Sequence, residues 1–167
     1  MIELRLATPD EYAETGKVTV AGYAADDLLT RPDGTEDHYE PQLLDAAKRA
    51  AEAELVVAVE ESGAVLGTVT WCPVGSPWRE LAARDDQGEF RMLSVAPDAR
   101  RRGIARALVE WCIERAHSER MTEIVMCSLT IMYPAHALYG SFGFVRAPEL
   151  DWEPVPGVEL WGFRLTL

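Results

Sequence analysis

The sequence predicts a single mixed α/β domain whose sheet begins antiparallel and turns parallel at a strand–helix–strand crossover. Three observations predict it. Two β-rich runs, Leu55 to Val59 and Ala64 to Cys72, flank Ser62-Gly63 and read as a hairpin. A strand-like run from Phe90 to Val95 is followed by a helix-like run from Gly103 to His117 and a strand-like run from Thr122 to Leu129. That length suits the crossover that parallel neighbours require. The chain of 167 residues contains no interdomain linker, internal repeat or low-complexity tract. Residues 1–167 are therefore expected to form one domain, burying roughly 70% of the unfolded surface.

The elements follow in order. Ile2 to Leu6 alternates as a short strand. Ala7-Thr8-Pro9-Asp10-Glu11 supplies a capping hydroxyl, a proline and first-turn acids, so a helix is expected to about Ala24. Asp26 to Asp37 reads as a polar loop with Pro32 and Gly34, and the alanine-rich Pro41 to Ala53 as a helix. After the hairpin, Pro73 to Gly88 reads as a long loop containing Trp78. Beyond the crossover, Pro134 to Ser141 is a short helix and Phe144 to Arg146 a short strand. Pro148, Pro154, Pro156 and Gly157 mark a loop, and Glu159 to Leu167 a final strand.

Composition removes several function classes. The hydrophobic fraction is 48% and the charged fraction 26%, ordinary for a soluble globular protein. A net charge of −12 argues against binding nucleic acid or an anionic membrane, both of which need a basic footprint. No apolar run approaches the length of a membrane span. The N-terminal stretch alternates and contains acids, unlike a signal peptide, so a cytoplasmic protein is expected. Cys72, Cys112 and Cys127 are odd in number and widely spaced, which suits free thiols in a reducing compartment better than disulfides or zinc. His38, His117 and His136 show no metal-ligand spacing, and no metal is expected.

One stretch, VAPDARRRGIARALVEW from Val95 to Trp111, runs against this acidity. It sets Arg100, Arg101 and Arg102 just before a helix, where the partial positive charge of the helix end disfavours them. Upstream, Pro97-Asp98-Ala99 is turn chemistry. Strand, tight turn, glycine and helix leave the first helical N–H groups unpaired and facing outward, a ready anion site. Gly103 permits close approach, and Ala105 keeps the next turn small. The arginines are then expected to gather positive potential around a bound polyphosphate. Neither a Walker loop nor a G-x-G-x-x-G fingerprint is present.

Val95-Ala96-Pro97 followed by Arg100-Arg101-Arg102-Gly103-Ile104-Ala105 resembles the coenzyme A motif of the GCN5-related N-acetyltransferases, [Q/R]-x-x-G-x-[G/A]. Ala137-Leu138-Tyr139 with Gly143-Phe144-Val145 resembles that family's L-Y-x-x-x-G-F segment. The resemblance implies a mostly antiparallel sheet of about six to seven strands flanked by about four helices. It implies that acetyl-CoA lies in a cleft between the strands ending at Val95 and near Leu129, opened by a bulge that the sequence does not reveal. The main chain across Leu93, Ser94 and Val95 would hold the pantetheine arm. The N–H groups of Arg101, Arg102, Gly103, Ile104, Ala105 and Arg106 would hold the diphosphate. Where relatives often carry asparagine seven residues before the tyrosine, this chain has Met132.

The expected reaction is acetyl transfer from acetyl-CoA to a primary amine of a small molecule, peptide or protein. An alkylamine arrives protonated, with a pKa of about 10.4, so a base is needed, and the departing thiolate needs a proton donor. The resemblance assigns Tyr139 as the acid and Glu89 as the base, with another residue or a chain of waters as the alternative to Glu89. Cys127 lacks an activating neighbour and is expected to pack in a strand, and His136 to be an ordinary helix histidine. Trp71, Trp78 and Trp152 are expected as core or loop anchors. Acidity outside the arginine turn suggests a cationic acceptor. Met132 leaves open a non-catalytic acyl-CoA-sensing module, and homodimers are common in the family. A transfer-RNA acceptor is disfavoured by the charge of −12.

Overall fold

The computed structural model describes residues 1–30 and 39–167. Pro32, Gly34 and His38 of the sequence reading lie outside the described residues. The strands are β1 (Ile2–Leu6), β2 (Glu54–Glu60), β3 (Val65–Trp71), β4 (Gln87–Val95), β5 (Glu123–Leu129), β6 (Val145–Arg146), β7 (Trp152–Val155) and β8 (Val158–Thr166). The helices are α1 (Tyr12–Ala24), α2 (Glu40–Leu44), α3 (Ala46–Glu52), α4 (Ile104–Ser118) and α5 (Tyr133–Ser141). The sheet runs β1-β2-β3-β4-β5-β8-β6, with β7 added on β8. Only the β4–β5 pair is parallel among the described strands. This is the mixed, mostly antiparallel fold class that the sequence predicts, with a few more elements than expected.

The additional elements have local causes. The expected helix from Pro41 to Ala53 breaks at Asp45, whose ψ of 69° is not helical. The Asp45 carboxylate accepts the Lys48 N–H at 3.1 Å and starts α3 afresh, a bond that competes with helix continuation. The break leaves the Leu43 carbonyl to accept from the buried Arg49 guanidinium, which also donates to Thr19 and Thr70. β4 starts at Gln87, inside the expected loop. Gln87 and Glu89 read as loop residues because they are polar, yet both are buried and accept N–H groups of residues 80–84. β7 also falls in an expected loop. Its Pro154 sits at the margin of the sheet, where a missing N–H is tolerated.

α4 buries Ile104, Leu108, Cys112 and Ala116, a stripe at helical spacing, against the sheet. Each large apolar side chain in such a stripe stabilises the fold by about 1.5–3 kcal/mol. This packing seats the N-terminus of α4 at the end of β4. On the opposite margin α1 approaches β4 closely. A Cβ on Gly22 would lie 2.0 Å from Ser94 Oγ and 3.0 Å from the Val95 carbonyl oxygen. The Ser94 hydroxyl donates to the Val18 and Thr19 carbonyls and fastens the two elements.

Two irregularities then open the sheet. Thr68 faces Ser94 while Thr70 faces Arg91, so β4 carries one extra residue there, and Met92 adopts φ 55°. β4 and β5 pair from Gln87–Glu89 to Glu123–Val125 and no farther, although β5 stays paired with β8 to Leu129. Beyond Glu89 the parallel strands part.

Candidate active site

The arginine turn lies at the wide end of this opening. Arg101 and Gly103 both have left-handed backbone, φ 64° and 78°, which turns the chain sharply into α4. Among the described residues, no acceptor meets the N–H groups of Arg101, Arg102, Gly103, Ile104, Ala105 or Arg106; the first helical bond runs from Ala107 to the Gly103 carbonyl. These amides border a cavity of about 430 Å³ whose walls include Leu93, Ser94, Val95, Arg100, Arg101, Gly103, Ile104, Ala105 and Arg106. Of the expected contact residues, Arg102 alone is missing from that wall. Its guanidinium turns away to Glu60 at 2.8 Å.

The guanidinium ring expected around the anion is therefore only partly present. Arg100 forms a bidentate pair with Asp26, at 2.8 and 2.9 Å, and also donates to the Gly22 carbonyl. It ties the turn to the end of α1 and is balanced by the chain's own acid. Arg106 donates to Ser141 and lies over the Phe142 ring, while Arg101 has no ion pair among the described residues. Positive character at the turn comes chiefly from orphan amides, with Arg101 and Arg106 beside them. A diphosphate fits this donor set.

A second cavity of about 310 Å³ lies between the parted strands, lined by Phe90 to Leu93 of β4 and Met126 to Leu129 of β5. The two cavities share Tyr23, Leu28, Leu93 and Met132 as walls and meet along β4. Met132 stands where they join, its sulfur accepting from Ser128 at 3.4 Å. Without a bound β5 on that side, the main chain of β4 beyond Glu89 has one edge open to the cavity.

Tyr139 lines this second cavity, 3% exposed, among the rings of Phe90, Phe144 and Phe163. Burial pushes its phenol above the ordinary value, so it stays protonated. Its hydroxyl has no hydrogen-bond partner among the described residues. Glu89 does not reach the cavity. It is 1% exposed, and its carboxylate accepts the N–H groups of Glu80, Leu81 and Ala82 at 2.9–3.1 Å. Burial pushes the Glu89 carboxyl up while those amides pull it down. This geometry bears on the expected base. The Glu89 carboxylate anchors a loop and is absent from the cavity wall.

The other candidates sort themselves by place. Cys127 lines the cavity, but burial pushes its thiol up to about 11, so it is no thiolate at neutral pH. His136 presents Nε2 to the Leu129 carbonyl and Ser128 and packs on Phe163, outside both cavity walls. Trp71 is fully buried core, and Trp78 packs under Arg91. Trp152, expected as an anchor, lines the cavity.

The sequence reading passed over Glu80 and Arg91. Glu80 belongs to the Pro73–Gly88 stretch and faces the cavity because Glu89 holds its main chain. Arg91 could have been found: it is the lone cation in the strand run Phe90 to Val95, next to the bulge. No group of three or more potential metal ligands occurs among the described residues, and no helix there is long and apolar enough to cross a membrane.

Comparison with known proteins bears on this geometry. The model of the acetyltransferase (GNAT) family matches residues 22–144. N-acetyltransferase family 8 member 3 of Rattus norvegicus is 36% identical over 90 residues, covering 54% of this chain and 38% of that protein. N-acetylaspartate synthetase of Danio rerio is 35% identical over 74 residues, covering 44% of this chain and 26% of that protein. The matched segments thus span well under half the length of these curated relatives. Among solved structures, an acetyltransferase of the GNAT family from Staphylococcus aureus Mu50 aligns with TM-score 0.75 at 12% identity, over 100% of this chain and 99% of that one. The Salmonella typhimurium protein yncA, solved with its cofactor acetyl-CoA, aligns with TM-score 0.68 at 18% identity, over 100% and 94%. At such identities the structures speak for the fold alone.

Proposed function

The chain belongs to the acetyltransferase (GNAT) family; from that premise we propose that it is an acetyltransferase and transfers acetyl from acetyl-CoA directly to a primary amine. The observation that carries the reading is the run of orphan amides from Arg101 to Arg106, continuous through the β4 edge with a cavity containing Tyr139. Acetyl-CoA supplies an acetyl group activated as a thioester. The turn amides, with Arg101 and Arg106, bind its diphosphate. The main chain of Leu93, Ser94 and Val95 carries the pantetheine arm, and the Ser94 side chain holds that strand against α1. Met132 removes one side-chain bond to the arm and leaves these main-chain contacts.

In this reading Tyr139 donates its phenolic proton at the departing sulfur, for which a phenol kept protonated by burial is suited. Glu80, the carboxylate that faces the cavity, receives the proton released by the acceptor's ammonium. Glu89 acts behind it as a positioning residue. The acidic surface favours approach of an ammonium group. Buried Cys72 and Cys112 and the unpaired Cys127 support a reducing, cytoplasmic setting.

The test is thiol release from acetyl-CoA across a panel of amines and peptides, with Tyr139→Phe alongside. Turnover is expected with at least one amine. Tyr139→Phe is expected to lower kcat about 10²-fold or more, within the range of acid–base contributions, with acetyl-CoA affinity unchanged. An unchanged kcat would remove Tyr139 from the chemistry. Acetyl-CoA binding without turnover across the whole panel would reject amine transfer.

A further inference from the structure

The second cavity is apolar over most of its wall, with Phe90, Met126, Leu129 and Leu160 among its residues. Two charged side chains line it among the described residues, Glu80 and Arg91. Arg91 is held firmly. Its side chain is 14% exposed, it lies over the Trp78 ring, and its Nη1 is 3.0 Å from Glu80 Oε1. Nη1 also donates to the Trp78 carbonyl at 3.2 Å, and Nη2 donates to the Tyr39 hydroxyl at 3.2 Å. A guanidinium has five N–H donors. Those contacts leave the Nε–H and one Nη2–H without an acceptor among the described residues. Both are charge-assisted donors that a carboxylate oxygen accepts.

Charge points the same way. Arg91 and Glu80 together are neutral. A plain ammonium acceptor would bring an uncompensated positive charge into a largely apolar cavity, beside an arginine. A molecule carrying both ammonium and carboxylate brings no net charge and matches both side chains. We propose that the acceptor is an amine with a nearby carboxylate, as in an amino acid, and that Arg91 docks this carboxylate while Glu80 faces the ammonium. The apolar wall then receives an apolar side chain. The proposal rests on the amine-transfer reading above and narrows the expected cationic acceptor to a zwitterion.

The experiment uses matched pairs. Phenylalanine is compared with phenethylamine, and leucine with 3-methylbutylamine, for kcat/KM with acetyl-CoA. Separately, N-acetylphenylalanine and N-acetylphenethylamine are titrated onto the protein in the presence of coenzyme A, which needs no turnover. Wild type should favour the carboxylated member at least 30-fold in both measurements. Arg91→Gln should bring both ratios below 3 and leave coenzyme A affinity unchanged. If Arg91→Gln does not fold, Arg91→Lys carries the test: it keeps the charge but loses the fork, and the preference should fall at least threefold. In Glu80→Gln the carboxylate preference should persist, because Arg91 remains. Equal efficiency and binding for both members in wild type, an unchanged preference in the Arg91 variant, or lost preference in Glu80→Gln would overturn the proposal. Carboxylate-selective binding without any transfer would uphold the Arg91 site and overturn the amine-transfer reading instead. Transfer to amines without carboxylate preference would do the reverse.

Discussion

Replacing Glu89 with glutamine separates two roles for one carboxylate, loop anchor and catalytic base. The carboxylate accepts N–H groups from Glu80, Leu81 and Ala82, with Oε1 at 2.9 Å from the last two and Oε2 at 3.1 Å from Glu80. Glutamine keeps an oxygen for Leu81 and Ala82 but removes the ionic strengthening of those bonds, about 1 kcal/mol each. It also sets an amide N–H₂ against the Glu80 N–H, donor facing donor, for about another 1 kcal/mol. Relief from burying a charge offsets part of the total, leaving about 2–3 kcal/mol. For a chain of this size that lowers Tm by about 5–10 °C. Because Glu80 moves with its own N–H, KM for the acceptor should rise more than kcat falls. The acid limb of the pH–rate profile should remain. Differential scanning calorimetry and a pH–rate series check both halves. A Tm within 1 °C of wild type, together with a kcat loss of about 10²-fold or more and loss of the acid limb, would refute the anchor role and restore Glu89 as base.

Three further outcomes follow from the same geometry. Ala105→Glu puts a carboxylate in the first turn of α4 beside the orphan amides; at about 6 Å from a bound phosphate, repulsion of about 3 kcal/mol per unit charge lowers coenzyme A affinity at least 100-fold by calorimetric titration, and retained affinity would place the diphosphate elsewhere. Gly22→Ala should destabilise by about 1–2 kcal/mol in urea, although alanine favours an exposed helix interior, because its Cβ meets Ser94 and the Val95 carbonyl; a gain in stability would contradict that close approach. The bidentate bond from Arg5 holds the Glu11 carboxyl down to about 2 from 4.5. Its stabilising effect is complete above about pH 4.5 and is lost as pH falls towards 2, so urea midpoints should drop over that window more steeply in wild type than in Glu11→Gln, and parallel curves would argue against the pair.

Much of the scaffold was legible because local chemistry and tertiary packing agree. Ser62-Gly63 closes the hairpin, Gly103 opens α4, and the stripe Ile104–Leu108–Cys112 is buried as its spacing indicates. The elements that escaped are those whose polar side chains accept main-chain N–H groups three to nine residues away instead of facing water. Gln87 and Glu89 look like loop residues until their bonds to residues 80–84 are seen, and Asp45 looks like a helix interior until it accepts from Lys48. The site divides along the same line. Amides left unpaired at a strand–turn–helix junction are a local property, and so is the coenzyme A motif that Arg100, Gly103 and Ala105 complete.

By itself the sequence determined the fold class, the family resemblance and the turn of unpaired amides, because these rest on residues near one another in the chain. Only the tertiary structure decided which charges remain free. Arg102 is taken by Glu60 and Arg100 by Asp26, both distant in sequence, whereas Arg101 has no ion pair among the described residues and Arg91, though paired with Glu80, lines the cavity. Side-chain charge is long-ranged and is neutralised by whatever folding brings within a few ångströms. A run of arginines therefore announces positive charge, but only the packed chain shows where any of it is left for a ligand.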